Sequence, residues 1–193
     1  AMASGFGSSM VFIKKLTASS SATLSFVDGS SSVVLDNTYK EYLFTFKDIH
    51  PSADNADLQF NGSDDTSSHS YNITKTTTNF RAYHFENDAA AALQYQTSND
   101  LAQSTGFQNF FGDDGVGNDN DQCAVGYMHL FNPSSTTFVK HFTAVTNMAH
   151  TSDLSVQNFM AGYFNTTAAI TAIQFKFDTG NIDAGDICLY GIS

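Results

Sequence analysis

The segment Gly112–Gln122, GDDGVGNDNDQ, brings carboxylates and glycines together in a short stretch. Its aspartates are Asp113, Asp114, Asp119 and Asp121. Ca²⁺ takes six to eight oxygen ligands, and flexible acidic loops supply them, although this segment lacks the central glycine and closing glutamate of an EF-hand loop. Two interpretations follow: a calcium site formed by these aspartates, or a solvated acidic turn that is mobile and exposed on the surface.

Exposed aromatic rings offer a second kind of site. A tyrosine ring can stack on a sugar ring while neighbouring Asn and Asp side chains bind the sugar hydroxyls. The tyrosines placed in or beside predicted strands and loops are Tyr71, Tyr83, Tyr95 and Tyr127. They predict a glycan site, with packing in a core or an interface as the alternative.

Metal and redox chemistry have weaker support. His129 and His141 lie on neighbouring predicted strands and could face each other across a hairpin, either as a metal pair or as a strand-surface pair. Cys123 and Cys188 are far apart in sequence, so a disulfide between them is the less favoured alternative to free thiols, with Cys188 half-buried in the core.

Catalytic motifs do not emerge from the sequence. It contains no GxSxG nucleophile elbow and no cysteine set near a histidine in a motif. Glutamate occurs only at Glu41 and Glu86, and the aspartates lie mainly in turn-like segments, which gives little support to glycoside hydrolysis. We therefore expect no catalytic residue, no cofactor other than the calcium considered above, and no enzymatic activity.

Alternating apolar residues predict the elements that would position these side chains. Period-two spacing is typical of a half-buried strand and predicts a common core face for Phe44, Phe46, Phe175, Phe177 and Leu189. Short runs of this kind recur between turn clusters, and the final run is expected to fill a place in a sheet. The predicted strands begin with VFIKKL, ATLSFV, YKEYLFTFKDI, DLQF, HSYNIT and FRAYHF, and continue with AVGYMHLF, TFVKHFTAVTNM, SVQNFMAGYF and the closing hairpin around DTGNIDAGD.

One segment favours a helix. The alanines of Asn87–Tyr95 are good helix formers and Asn87 or Asp88 could cap them, although a short surface turn is equally consistent. Since strands and helices do not alternate elsewhere, a parallel sheet is not expected. The sequence therefore predicts an all-β fold: an antiparallel, jelly-roll-like β-sandwich of about ten strands. Residues 1–10 are expected to be a flexible segment, and residues 11–193 a single sandwich domain.

Charge limits the partners. The formal net charge of −11 would repel a polyanion, so we expect neither nucleic acid nor an anionic membrane surface as a partner. No apolar run approaches the roughly 20 residues of a membrane-spanning helix, so membrane insertion is not expected.

Three stretches carry a resemblance to a known family: Tyr39–Phe60, Gly126–Phe142 and Gly162–Ser193, the last of which closes on LYGI. They resemble a family of bacteriophage virion structural proteins, found especially in marine phages of the cyanophage type. The resemblance covers roughly Tyr39 to Ser193. It implies a jelly-roll sandwich displayed on the particle as a capsid decoration, fibre or tail component, and it implies no catalytic residues.

We accordingly expect a structural component of a phage virion that contacts other virion proteins. Self-association is also expected, either isologous or threefold, because virions present such modules on symmetry axes. The alternative function is a glycan-binding module that contacts the host cell surface, since β-sandwiches often carry lectin sites. The two functions are compatible.

Overall fold

The computed structural model describes residues 10–112 and 114–193. These residues form twelve strands and, within the described ranges, no helix. Every strand pairing is antiparallel. The strands are β1 Met10–Thr17, β2 Leu24–Val27, β3 Glu41–Pro51, β4 Leu58–Ser63, β5 Lys75–Phe85, β6 Ala91–Tyr95, β7 Gln108–Asn109, β8 Ala124–Phe131, β9 Lys140–His150, β10 Leu154–Phe164, β11 Ala172–Phe177 and β12 Ile182–Ile192.

The strands form two sheets with the connectivity of a jelly roll. The larger sheet has the order β1-β12-β3-β8-β9-β10-β5-β6, and the smaller one β2-β11-β4-β7. Without β5, β6, β9 and β10, eight strands remain, which can be counted from first to eighth along the chain. In that count one sheet has the order first-eighth-third-sixth and the other second-seventh-fourth-fifth. Two Greek keys wound in this way make a jelly roll. The predicted all-β sandwich is confirmed.

Two inserted hairpins enlarge one side of this jelly roll. The hairpin β5–β6 is inserted between β4 and β7, and the hairpin β9–β10 between β8 and β11. They pair with each other and with β8, which extends the larger sheet beyond the smaller one. We call the eight remaining strands the body, and β9, β10, β5 and β6 the wing.

Phenylalanine rings fill the space between the two sheets of the body. Phe175 on β11 lies at the centre, with ring centroids 5.3 Å from those of both Phe44 and Phe46 and 6.2 Å from that of Phe26. All five predicted core residues are buried, Phe177 and Leu189 included. Edge-to-face contacts of this kind add to the stabilisation from burial.

The last strand is central in its sheet, because β12 pairs with β1 on one side and β3 on the other. The predicted turn DTGNIDAGD is shorter than expected: residues 178–181 form it, while Ile182 to Asp186 already pair within β12 through register shifts. Gly185 has φ +113, and a Cβ there would meet the Asp48 carbonyl oxygen at 2.5 Å. Gly191 of the LYGI ending leaves room for the Tyr39 ring.

Two predicted elements are wrong. The segment expected as a helix forms a turn at 86–89 and then strand β6, because the edge of β5 offers unpaired backbone groups and Ala91–Tyr95 pair with it. Sheet pairing overrides the weak helical preference of alanine here. The segment HSYNIT is a loop, since the Asp65 carboxylate accepts the backbone N–H groups of Ser68, His69 and Ser70 at 2.6–2.9 Å.

The terminal segment is described in part. Met10, expected in a flexible segment, is the first residue of β1, while residues 1–9 lie outside the described part of the chain. Among the described residues, no helix has the length and apolarity that crossing a membrane requires.

Candidate functional site: an uncharged sheet face

Strand alternation gives the larger sheet an inner face toward the core and an outer face toward solvent. Cross-strand pairing aligns an outward-facing row on β8, β9, β10, β5 and β6: Tyr127, Val145, Phe159, Phe80 and Tyr95. Such directly opposed side chains contact one another. The wing and β8 therefore present a continuous apolar row to solvent.

No charged residue type occurs on the outer face of these five strands. We call this surface the uncharged face, and it consists of Val125, Tyr127, His129, Phe131, His141, Thr143, Val145, Asn147, Ala149, Ser155, Gln157, Phe159, Ala161, Tyr163, Thr76, Thr78, Phe80, Ala82, His84, Ala91, Leu93 and Tyr95. Across the whole chain, 14% of residues are Asp, Glu, Lys or Arg. The exclusion of charge is thus a local property of this surface.

Several large apolar side chains of the uncharged face are substantially exposed. Phe80 stacks on Phe159 with ring centroids 4.9 Å apart and an interplanar angle of 11°, yet Phe80 remains 43% exposed. Leu93 is 72% exposed and Tyr95 58%. Exposed apolar patches of this kind mark interaction sites on soluble proteins.

A trough crosses the uncharged face between two rows of larger side chains. Thr143, Ala161 and Thr78 are directly paired across β9, β10 and β5, and their small side chains form its floor. The row His141–Tyr163 borders one side and Phe159–Phe80 the other, and two adjoining cavities of about 300 and 240 Å³ occupy this space. The trough has the volume of a small-molecule site but is open and shallow.

Polar contacts lie at the margins of the uncharged face. His129 hydrogen-bonds the Glu41 carboxylate on β3, and His84 lies 3.1 Å from the Asp88 carboxylate in the β5–β6 turn. The Tyr95 hydroxyl donates to the Asp100 carboxylate. Carboxylates therefore contact the face only from residues outside it, at its rim.

The inner face of the wing buries polar as well as apolar side chains. Asn79, Asn158, Thr77 and Thr146 are buried there beside apolar residues such as Phe142 and Phe164. Phe60 of the smaller sheet packs on these two rings, while residues of the segment 96–122 contact Thr77 and Arg81. Thr77 donates to Gln108 Oε1 at 2.6 Å, whereas the side-chain amides of Asn79 and Asn158 have no hydrogen-bond partner among the described residues. We call these buried side chains the polar layer.

A buried ion pair closes the polar layer at one end. Arg81, the single arginine of the sequence, pairs with Asp114, and His150 Nε2 lies 3.9 Å from the same carboxylate. Burial, with the nearby Arg81 charge, lowers the pKa of His150. At the other end of β5, the side chain of Lys75 is fully buried and its ammonium donates to the Ile73 carbonyl at 3.2 Å.

The acidic loop is docked rather than fully exposed. Asp114 is turned inward to Arg81, and Val116 forms backbone bridges to Ala56 and His150. The expectation of an exposed loop is wrong for residues 114–117, because Val116 supplies an apolar anchor and adjacent glycines allow close approach. Asp119 and Asp121 are exposed, and Asp113 lies outside the described residues. Within the described ranges, no group of three or more His, Cys, Asp or Glu is placed to hold a metal ion.

The four predicted glycan tyrosines do not form one site. Tyr95 and Tyr127 share the uncharged face, on strands four positions apart. Tyr83 packs on the inner face beside Phe85, and Tyr71 lies in a loop where its carbonyl accepts from Asn61. The structure therefore does not bring the four tyrosines together, because strand alternation sends Tyr83 to the opposite face.

The predicted histidine pair is also wrong. Thr143 lies opposite His129 in the β8–β9 pairing, while the His141 ring contacts Tyr163 on β10. Cys123 and Cys188 are free thiols, both half-buried, and Cys188 lies on the outer face of β12 instead of in the core. The register of the strands, which the spacing of residues does not fix, decides these contacts.

Sequence reasoning missed Phe80, Phe159, Val145 and Ala161 as surface residues of interest. A signal was present: β8, the segment 141–149 and β10 contain no Asp, Glu, Lys or Arg on either face. Consecutive strands without charge indicate that both faces of a sheet are covered.

Comparisons of the chain with models of protein families, with curated proteins and with solved structures found no match.

Proposed function

We propose that this chain is a structural component of a bacteriophage virion, displayed on the particle surface as a capsid decoration, fibre or tail module. Its uncharged face serves as the surface through which it joins other virion proteins. The jelly-roll connectivity supports this role, since viral capsid and lectin domains use the same architecture. The resemblance of Tyr39–Phe60, Gly126–Phe142 and Gly162–Ser193 to phage virion proteins points the same way.

The observation that carries the proposal is the exposed apolar surface of a strongly acidic chain. A net charge of −11 keeps a protein soluble, and a solvent-facing surface of such a chain normally shares that charge. Here Phe80, Leu93, Tyr95 and Tyr127 stand exposed together without a charged neighbour on the same face. A structural partner that covers them accounts for both facts.

An assembly role agrees better with the face than catalysis does. Its titratable side chains are three histidines and three tyrosines on different strands, and it carries no carboxylate. Two of those histidines contact the rim carboxylates of Glu41 and Asp88. General acid–base chemistry requires positioned proton donors and acceptors at one point, and this surface offers instead a broad apolar area.

Localisation on particles tests the proposal. Antibodies raised against residues 10–193 should label purified phage particles in immunogold electron microscopy, at regular positions on the head or tail. Preimmune serum is the control. Absence of label on intact particles, together with absence of the chain from their peptide mass spectra, would contradict a virion role.

The trough supports a second candidate function, a glycan-binding module. Thr76, Thr78 and Thr143 place hydroxyl groups along it, and the Tyr163 ring borders it. On a glycan array the protein should then bind a defined sugar class. Tyr163→Ala should abolish that signal, while Tyr71→Ala, in the loop before β5 and outside the lining of the trough, should leave it unchanged. Equal signals from the two variants would exclude the trough as the site.

A further inference from the structure

We infer that a second copy of this chain covers the uncharged face. The inference rests on the proposed assembly role, because it names the occupant of the same surface. It gives the chain an isologous contact in which each copy presents the same strands, β8, β9, β10, β5 and β6, to the other. Two sheets that meet in this way pack about 10 Å apart, as in a sandwich.

Charge favours this occupant. Two copies of a chain with net charge −11 repel each other, and the repulsion acts over a screening length of about 8 Å at physiological ionic strength. Most surfaces of the molecule would bring aspartates of one copy against aspartates of the next. The uncharged face is the surface on which copies can approach without placing a carboxylate in the middle of the contact.

The size of the uncharged face suits a stable contact. Strands about 4.8 Å apart, with a rise of about 3.3 Å per residue, give its five strands an area of roughly 700 Å². A standard protein interface covers about 800 Å² on each partner. Aromatic residues such as Phe80, Tyr95 and Tyr127 are enriched in the centre of such interfaces, whereas charged residues are depleted there.

The two edges of the larger sheet differ in a way that agrees with this contact. The β1 edge carries Lys14 and Lys15 and a register shift between Phe12 and Lys14, which are common protections against unwanted strand pairing. The β6 edge, Ala91–Tyr95, has neither charge nor bulge. An unprotected edge beside an apolar face is expected where a partner covers both.

A glycan is the less favoured occupant. Binding of sugar hydroxyls in a pocket depends on a few well-placed polar groups that fix orientation. The trough offers the hydroxyls of Thr76, Thr78 and Thr143 but no Asn, Gln, Asp or Glu side chain in its lining. Its surface is mainly carbon, which matches an apolar side chain from a protein partner.

Sedimentation of the isolated chain tests the inference. Wild type should sediment as a species of twice the 20.9 kDa chain mass at high protein concentration and dissociate on dilution. Phe80→Lys and Leu93→Lys, two substitutions on the uncharged face, should each raise the dissociation constant at least tenfold. Phe138→Lys is the matched control, because Phe138 is 68% exposed but lies in the loop between β8 and β9.

Salt supplies a second readout. Because the contact joins two acidic chains through apolar groups, raising the ionic strength should strengthen wild-type association by screening the repulsion. Circular dichroism spectra that match wild type show that the lysine variants are folded.

Three results would overturn the inference: a wild-type chain that stays monomeric at every concentration and salt level, a Phe138→Lys variant as disrupted as Phe80→Lys, or a monomer that binds a glycan through the trough. If the chain forms a dimer but does not label phage particles, only the virion role is contradicted. If the chain labels phage particles but stays monomeric, only the contact between two copies is contradicted.

Discussion

The body and the wing share one sheet but differ in where they place polar and apolar side chains. In the body, the inner face carries the Phe44, Phe46 and Phe175 cluster, and the outer face carries charge such as the Lys15–Asp186 pair at 3.1 Å. In the wing, the inner face holds the polar layer and the outer face is the uncharged face. The body therefore buries its aromatic cluster between two sheets, whereas the wing exposes part of its apolar surface to solvent.

The cover of each region explains the difference. The smaller sheet lies over the body and supplies apolar side chains such as Phe26, Phe60 and Phe175. Over the wing, the smaller sheet contributes Phe60, and the rest of the cover comes from the mostly irregular segment 96–122, whose backbone groups need hydrogen-bond partners once they are buried. Asn99, Gln108 and Thr77 supply some of them. Hydrogen bonds between polar side chains and backbone therefore hold this segment, and the contact of Thr77 with Gln108 joins it to the wing.

The largest expected effect separates the two regions by stability. Phe175→Ala should lower the free energy of unfolding by about 3–5 kcal/mol, since it opens a cavity at the centre of the body. Phe80→Ala on the uncharged face should cost less than about 1 kcal/mol in dilute protein. Urea denaturation followed by circular dichroism measures both, and similar losses would break the comparison.

Lys75 gives the next largest effect. Burial lowers its pKa to about 7, whereas the pKa in the unfolded chain is about 10.4. The unfolded state therefore binds more protons between these values, so this residue makes the free energy of unfolding rise from pH 7 to pH 10 and destabilises most below pH 7. Lys75→Met should be more stable than wild type at pH 6 by roughly 2–3 kcal/mol, after allowing for the carbonyls that lose their donor.

The control for Lys75 is an exposed lysine on the same sheet. Lys47→Met should change stability little at any pH from 6 to 10. Because other groups also titrate, the informative quantity is the difference between each variant and wild type across this range. If the difference in free energy of unfolding between Lys75→Met and wild type does not shrink as the pH rises, that result argues against a buried ammonium.

A pair of substitutions in the polar layer sharpens the comparison further. Asn158→Leu should stabilise the chain by about 1 kcal/mol, because the buried amide has no hydrogen-bond partner among the described residues. Thr77→Val should destabilise it by about 1–2 kcal/mol, because Thr77 bonds both Gln108 and the Leu101 N–H. Thermal melting of both variants decides the matter, and a loss of stability in Asn158→Leu would show that the amide is satisfied.

The smallest expected effect concerns the acidic loop. Millimolar calcium should leave the melting temperature unchanged relative to EDTA, because Asp114 pairs with Arg81 and, of the described aspartates of this loop, only Asp119 and Asp121 are exposed. A bound ion at about 100 times its dissociation constant would add roughly 2.7 kcal/mol. A calcium-specific rise that Asp119→Ala and Asp121→Ala remove would reverse this expectation; magnesium serves as the control ion.

Several features were predictable because they depend on local pattern. The spacing of Phe44 with Phe46, and of Phe175 with Phe177, placed these residues on a core face, and all four are buried. The strand AVGYMHLF was predicted with the bounds that β8 has. By contrast, Ala91–Tyr95 reads locally as a helix and becomes a strand, since its hydrogen-bond partner is an edge that only the folded sheet provides.

The sequence by itself determined the class of fold, the core and the strong negative charge, because alternation and composition act residue by residue. Only the tertiary structure decided which alternating face meets the core in the wing, where Asn79 and Asn158 turn inward and Phe80 and Phe159 turn outward. Both faces of these strands contain apolar and polar residues, so the period-two pattern does not show which face turns toward the core. The orientation is decided by what lies against each face: the smaller sheet, the segment 96–122, or solvent.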